Sequence, residues 1–435
     1  MPSDRTCGRP VRTAGLLLAC CGALIACGDR ARICVNATCA SPFRDAATGP
    51  EDAGPADVLA RDSNASVDSS AVDRPPPRDS ATARDSAARP DRQASPDSQA
   101  STDRASVADA AIADAGPPPT AGWLHTAGRQ FLHADGGTWV GRGANIHDTR
   151  SCNACAWSAP DVDEVKRRID VLVDDWKATF MRLDLESYAT ASGRTHWQSV
   201  LDDPGYLQDI EAIVAHIGSK PGVYVLLSLW VSEFFDPLGW PSAHSRQEWQ
   251  VLADAFVGVP HVMFGLVNEP ESNFSGTQDA EVWDAMNQTV AVIRAVEDAA
   301  SSPHHIVAVQ GTGAWARNLG YYVTHPITAG GGDNIAYEIH VYNPEADFDN
   351  MLVTPAQTLP VIVGEYGPVA GTMTEADCQA LMALVDLQGI PNLAWTFHMR
   401  CPPNLIVDNS GGGCGVDMNL QPTAWGSLLM QHLAP

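Results

Sequence analysis

Two glutamates carry the clearest chemical signal in the chain. In Val262-Met263-Phe264-Gly265-Leu266-Val267-Asn268-Glu269-Pro270 an apolar run leads straight into Asn-Glu-Pro. In Leu359-Pro360-Val361-Ile362-Val363-Gly364-Glu365-Tyr366-Gly367 a second apolar run delivers a glutamate into a Gly-flanked turn. Each run reads as a buried parallel strand. Proline cannot continue a ladder, so the first strand stops at Glu269. Such carboxyl ends are where α/β folds hold their chemistry. Alone, Asn-Glu-Pro is equally a plain polar turn. Paired with Glu365 it suits cleavage of a glycosidic bond, with one carboxyl as proton donor and the other as nucleophile or base.

The elements that must position this pair follow from the hydropathy pattern. Strands are predicted near residues 139–146, 178–184, 222–229, 261–268, 305–310, 334–341, 360–365 and 392–397. Helices are predicted near 161–176, 205–216, 245–257, 280–299, 374–387 and 423–433. Residues 315–323 read as irregular, and the helix after the sixth strand must be short. A hairpin over 125–141, turning at Asp135-Gly136-Gly137, precedes the alternation. Eight buried strands with intervening helices fit an α/β fold of the (β/α)₈ TIM-barrel type. Further polar and aromatic residues fall at the expected strand ends: Asn145 and His147, Arg182, Trp230, Asn268, His340 and Tyr342, and Trp395. Each polar group is costly if buried unpaired and tolerable if all face one wet cleft. A structural ion pair of Arg182 with Asp184 or Glu186 is the competing reading of that residue.

This set resembles glycoside hydrolase family 5, the cellulase family of retaining (β/α)₈ glycosidases. The resemblance covers residues 120–433 and rests on Asn268-Glu269-Pro270, Gly364-Glu365-Tyr366-Gly367 and the ordered Arg182, His340, Tyr342 and Trp395. It implies Glu269 as acid/base, Glu365 as nucleophile and Asn268 as ligand of the sugar 2-hydroxyl. It implies that Arg182 and Tyr342 hold Glu365, that His340 supports the site and that Trp395 floors the subsite beside the scissile bond. Asn145 and Trp230 join the expected sugar-binding set. The family usually has a histidine at the end of the third strand, where this chain has Trp230, which puts the substrate class in doubt. The expected activity is endo-acting hydrolysis of a β-1,4-linked polysaccharide, glucan first and mannan second. A glycan-binding protein that has lost catalysis is the alternative.

The chemistry supports the same roles. Glu365 must be ionised to attack, which a neighbouring Arg182 cation and Tyr342 hydroxyl would favour. Glu269 must stay protonated, which a nearby Glu365 anion would promote. Retention requires a carboxyl separation of about 5–5.5 Å. No metal or organic cofactor is expected, because no His/Asp cluster has ligand spacing along the chain.

Composition bounds the rest. A net charge of −25 over 435 residues leaves no basic patch for nucleic acid. Residues 1–27 read as a lipoprotein signal: Arg5, Arg9 and Arg12, a short apolar run from Gly15 to Ala26, and Leu24-Ile25-Ala26-Cys27, which resembles a bacterial lipobox. Cleavage before Cys27 and lipidation of its thiol would anchor a monomeric protein to the cell envelope without a spanning helix. Residues 28–119 are rich in Ala, Asp, Arg, Ser and Pro, a composition that reads as a disordered tether ahead of a catalytic domain at 120–435. An exported chain favours disulfides. Cys34 and Cys39 are close enough to pair, Cys378 falls in a helical pattern as a free thiol, and Cys152, Cys155, Cys401 and Cys414 allow three pairings.

Overall fold

The computed structural model describes residues 34–35, 38–39, 122–149, 162–186, 199–230, 236–408 and 420–434. Cys27, Cys152, Cys155, Trp157, Cys414 and nearly all of the expected signal and tether lie outside the described residues. Within the first 88 residues, Cys34–Val35 pairs antiparallel with Thr38–Cys39, which sets Cys34 opposite Cys39 in the backbone register.

The remainder is built on a closed barrel of eight parallel strands. These are β1 (Arg142–His147), β2 (Phe180–Glu186), β3 (Tyr224–Trp230), β4 (Val262–Gly265), β5 (Val307–Gln310), β6 (Ile335–Val341), β7 (Val361–Tyr366) and β8 (Asn392–Ala394). The helices are α1 (Val162–Asp170), α2 (Pro204–Gly218), α3 (Ala243–Phe256), α4 (Asp279–Ala299), α5 (Gly320–Thr324), α6 (Glu375–Gln388) and α7 (Ala424–Leu433). Local chemistry explains their ends. Asp203 caps α2, whose first residue is Pro204, and Ser242 and Thr374 close capping boxes on α3 and α6. Gly389 ends α6 at φ 67°, a left-handed conformation that favours glycine. The expected short element after β6 is two 3₁₀ turns flanking one π turn, Asp349–Val353.

The hairpin differs in detail from expectation. It pairs Leu124–Ala127 with Gln130–His133 and turns at Gly128, while Asp135-Gly136-Gly137 makes a second turn that brings Thr138 back to Leu132. The first barrel ladder therefore starts at Arg142, three residues after Trp139, whose ring packs on Phe131, Phe180 and Tyr224.

Strand alternation divides the barrel into two linings. On β2, Met181, Leu183 and Leu185 join the large core shared with the helices, while Phe180 belongs to a second cluster inside the barrel. That inner cluster includes Tyr224, Leu226, Met263, Ile362 and Leu393, and Leu124, Phe131 and Trp139 close it from below. Towards the strand carboxyl ends the same inward parity turns polar: Arg182 and Asp184 on β2, Glu338 and His340 on β6.

Candidate active site

Arg182 organises this polar lining. It is the third residue of β2, fully buried in mid-strand rather than at the strand end where the sequence suggested it. Its Nη1 donates to Glu365 Oε1 at 2.8 Å, to Asn145 Oδ1 at 2.9 Å and to Asp184 Oδ1 at 2.9 Å. Its Nη2 donates to Asn268 Oδ1 at 2.7 Å, and its Nε lies 3.0 Å from Glu338 Oε1. The two readings of Arg182 are thus both present, since one guanidinium is paired with Asp184 and with Glu365. Burial opposes its charge, but the surrounding carboxylates more than offset this and raise its pKa.

Glu365 reaches the interior because β7 is irregular. Ile339 pairs with Val363, but His340 pairs with Glu365, so Gly364 is an extra residue in β7. Val361 and Val363 face the helices and Ile362 faces the barrel. Strict alternation would send Glu365 outward; the bulge turns it in. There its Oε2 accepts from the Tyr342 hydroxyl at 2.9 Å. Burial pushes the Glu365 carboxyl above its ordinary range, His340 and Arg182 pull it down, and Glu269 pushes it up again. Arg182 and Tyr342 by themselves would favour the ionised carboxyl, but burial has the larger effect here.

Glu269 follows β4 with φ 50°, a left-handed conformation uncommon for a side chain of this kind. Its N–H donates to Gln310 Oε1 on β5, and its Oε1 lies 2.8 Å from His340 Nδ1. His340 Nδ1 is also 3.5 Å from Glu365 Oε2. Burial disfavours a charged imidazole, but Glu365, Glu269 and Glu338 outweigh it and raise His340 to about 9. Single donor atoms of Glu269, His340 and Glu365 all lie within 4.8 Å of one another. The tertiary fold thus assembles a three-donor cluster that no sequence spacing announced. Both ring nitrogens of His340 already face carboxylates and Arg182 already pairs with Glu365, so the donor set fits an acid/base site better than a metal site.

The opposite wall is aromatic and neutral. Trp230, at the end of β3, stacks on Trp395 with centroids 5.8 Å apart and planes at 12°. The edge of His147 meets both indoles, and His398 packs beside it. Burial, then Arg168 and Arg182, lowers His147 to about 3, so it is an uncharged ring at neutral pH. Tyr342 and Trp230 pack with Trp395 and Cys401 at the cleft.

Not every expected residue faces the cleft. Asn145 is fully buried, and its Nδ2 donates to the backbone oxygens of Gly364 and Ala394 while its Oδ1 accepts from Arg182. It holds β1, β7 and β8 together behind the site and has no group left for a sugar. Trp240 is core, as are Trp176, Trp249 and Trp425, whereas Trp283 is half-buried. Trp315 is half-buried, packed on Phe274 and Arg317. Cys401 is disulfide-bonded and Cys378 is a buried free thiol. Sequence reasoning assigned no role to Gln310 or Glu338. A charged residue two positions before His340 in an otherwise apolar strand was the available signal.

Comparison with known proteins agrees with this geometry. The family profile for cellulase, glycosyl hydrolase family 5, matches residues 135–400. Endoglucanase CelA of Streptomyces lividans is 25% identical over 293 residues, covering 65% of this chain and 57% of that protein. The chain therefore spans little more than half the length of that curated relative. The catalytic domain of Thermobifida fusca endoglucanase Cel5A, solved with cellotetraose, superposes with a TM-score of 0.55 at 19% identity, covering 72% of this chain and 97% of that one. A mannanase catalytic domain from Streptomyces sp. SirexAA-E superposes at 0.52 and 19% identity, covering 75% of this chain and 96% of that one. At these identities the superpositions speak for the barrel, and the profile match speaks for the family. With the profile spanning both glutamates and the strands that present them, the chain belongs to glycosyl hydrolase family 5.

Proposed function

We propose that the protein is an endo-acting, retaining β-glycanase. It would cleave a β-1,4-linked polysaccharide, glucan in the first place and mannan in the second, by double displacement. The observation that carries this is that one carboxylate oxygen of Glu269 and one of Glu365 lie within 4.8 Å of each other beside His340. Inverting enzymes need roughly 6.5–9.5 Å between carboxyl groups to admit a water. In the first step Glu365, held by Arg182 and Tyr342, attacks the anomeric carbon while Glu269 protonates the leaving oxygen. Glycosylation removes the charge of Glu365. Glu269, now ionised and facing the His340 N–H, then takes a proton from an incoming water, whose oxygen attacks the anomeric carbon and breaks its bond to Glu365, restoring the carboxylate. Asn268, fixed through its Oδ1 by Arg182, presents its amide N–H₂ towards the sugar, and the Trp395–Trp230 pair offers apolar faces for ring stacking.

The test is a hydrolysis panel of soluble β-glucans, mannans and xylans read by reducing ends, with Glu269→Ala as control and the anomer of the first product followed by proton NMR. Activity on one polymer that is lost in the control, with the β-anomer appearing first, is expected. An α-anomer would overturn retention. Binding without turnover on every polymer would favour a glycan-binding protein instead.

The proposal extends to export and lipid anchoring through Cys27, supported by the basic residues, apolar run and lipobox-like sequence ahead of it. Cys27→Ser should move the protein from the membrane fraction to the soluble one. Retention in membranes by that variant would remove the lipid from the proposal.

A further inference from the structure

Behind the catalytic pair lies a third carboxylate with no part in the chemistry above. Glu338 stands in the middle of β6 and is fully buried. Its Oε1 is 3.0 Å from Arg182 Nε and 3.2 Å from His340 Nε2. Arg182 and His340 each present one face to Glu365 or Glu269, and Glu338 lies on the other face of both. The neighbouring strands make room for it. A Cβ at Gly364 would fall 2.1 Å from Glu338 Oε1, so the residue before Glu365 is glycine because this carboxylate fills the space. From β5, Gln310 reaches the same point: its Nε2, beside His340 Nε2 at 3.1 Å, donates to Glu338, while its Oε1 accepts the N–H of Glu269.

A buried carboxylate is costly unless paired on several sides, and an apolar residue of similar volume is often the more stable choice. Two residues earlier on the same face, β6 carries Ala336 in the apolar inner cluster. The charge at Glu338 thus stands where the lining changes from packing to chemistry.

We propose that Glu338 is a positioning residue that holds Arg182 and His340 from behind and, through them, fixes both catalytic carboxylates and keeps His340 a hydrogen-bond donor to Glu269. The inference rests on the roles assigned above to Glu269 and Glu365. With both ring nitrogens protonated, Nε2–H points to Glu338 and Nδ1–H to Glu269, whereas a neutral ring would keep only one of these two donors. The groups around His340 are Glu269 after β4, Gln310 on β5, Glu338 on its own strand, Glu365 on β7, Arg182 and Asp184 on β2, and Tyr342 after β6. Three carboxylates outweigh burial and raise the imidazole to about 9, and Glu338 is one of the three. Glu338 itself stays ionised: burial works against this, and Arg182, His340 and Gln310 more than offset it.

The test compares Glu338→Gln and Glu338→Asp with wild type in the full chain. Nitrogen-15 NMR of the His340 imidazole, titrated from pH 5 to 10, reads the protonation directly and needs no substrate. Rates on the best polymer give the pH profile of kcat. In Glu338→Gln the His340 titration should fall by at least one pH unit. The alkaline limb of kcat should move with it, and kcat at pH 8 should drop at least tenfold with KM within threefold. Glu338→Asp keeps the charge one methylene further back and should restore part of both effects. If Glu338→Gln does not fold, the Asp variant must show the same shifts at smaller size. Wild-type titration and wild-type alkaline limb in whichever variant folds overturn the proposal. A shifted imidazole in a protein that cleaves no glycan would leave the positioning role standing and remove the catalytic reading.

Discussion

The lower and upper halves of the barrel interior use one strand pattern for opposite ends. Below, Phe180, Leu226, Met263, Ile362 and Leu393 point inward and pack dry under a hairpin plug. Above, two residues further along, Arg182 follows Phe180 and Trp395 follows Leu393, and β6 passes from Ala336 to Glu338 and His340. The lower layer holds the strands together through area removed from water. The upper layer replaces that area with charges that are tolerable only because each has partners on other strands. Stability is thus concentrated in one half of the barrel and reactivity in the other, and a substitution in either half should report which it serves.

The largest effect should follow Glu365→Gln, which removes the proposed nucleophile and should lower kcat on the order of 10⁴-fold or more. Thermal unfolding and glycan binding should stay close to wild type, and turnover near the wild-type rate would mean that another group attacks. Glu269→Gln removes proton transfer and should cost about 10²–10⁴-fold in kcat, more with a natural sugar leaving group than with an activated aryl one. An equal loss on both substrates would argue against the acid role.

Adjacent inward positions on β2 give the sharpest contrast between the halves. Phe180→Ala should destabilise by about 3–5 kcal/mol with kcat per folded molecule little changed. Arg182→Met should destabilise by a similar 3–5 kcal/mol, because it strands buried carboxylates, and should also abolish most activity. Chemical denaturation alongside kinetics would show whether the two losses separate in this way.

The charged half should also be the pH-sensitive half. His340 titrates near 9 in the folded chain, above its ordinary value of 6.5. Its stabilising contribution is whole below pH 6.5 and is lost as pH rises through about 9. Unfolding free energy should fall over that window by at most about 3 kcal/mol, and the fall should shrink in His340→Gln. A flat profile in wild type would mean that His340 is not charged. The smallest effect belongs to the aromatic wall. Trp230→Ala should raise KM by about two- to tenfold through lost stacking worth roughly 0.5–1.5 kcal/mol, with kcat nearly constant.

Much of this was legible in the chain because it depends on short-range pattern. Apolar runs of strand length, and the arrival of Glu269 and Glu365 directly after two of those runs, identify eight strands and their chemical end. The order of Arg182, His340, Tyr342 and Trp395 along the chain pointed to the right strands. It did not show that Arg182 sits in mid-strand, nor that Asn145 spends its whole amide on neighbouring backbone and on Arg182.

By itself the sequence determined the alternation and the barrel and singled out Glu269 and Glu365 as candidates, since each is written in residues that are neighbours along the chain. Only the tertiary structure decided that Glu365 faces inward. Period-two reading puts it on the helix side, and the bulge at Gly364 reverses this because β7 must match β6 although His340 and Glu365 are 25 positions apart in the chain. The same register places Glu338 in the space a Cβ at Gly364 would need and sets it behind both cations. Whether a buried charge is a defect or a device depends on what other strands bring to it, and beyond His340 on its own strand the partners of Glu338 are Arg182 from β2 and Gln310 from β5, neither of them near it in sequence.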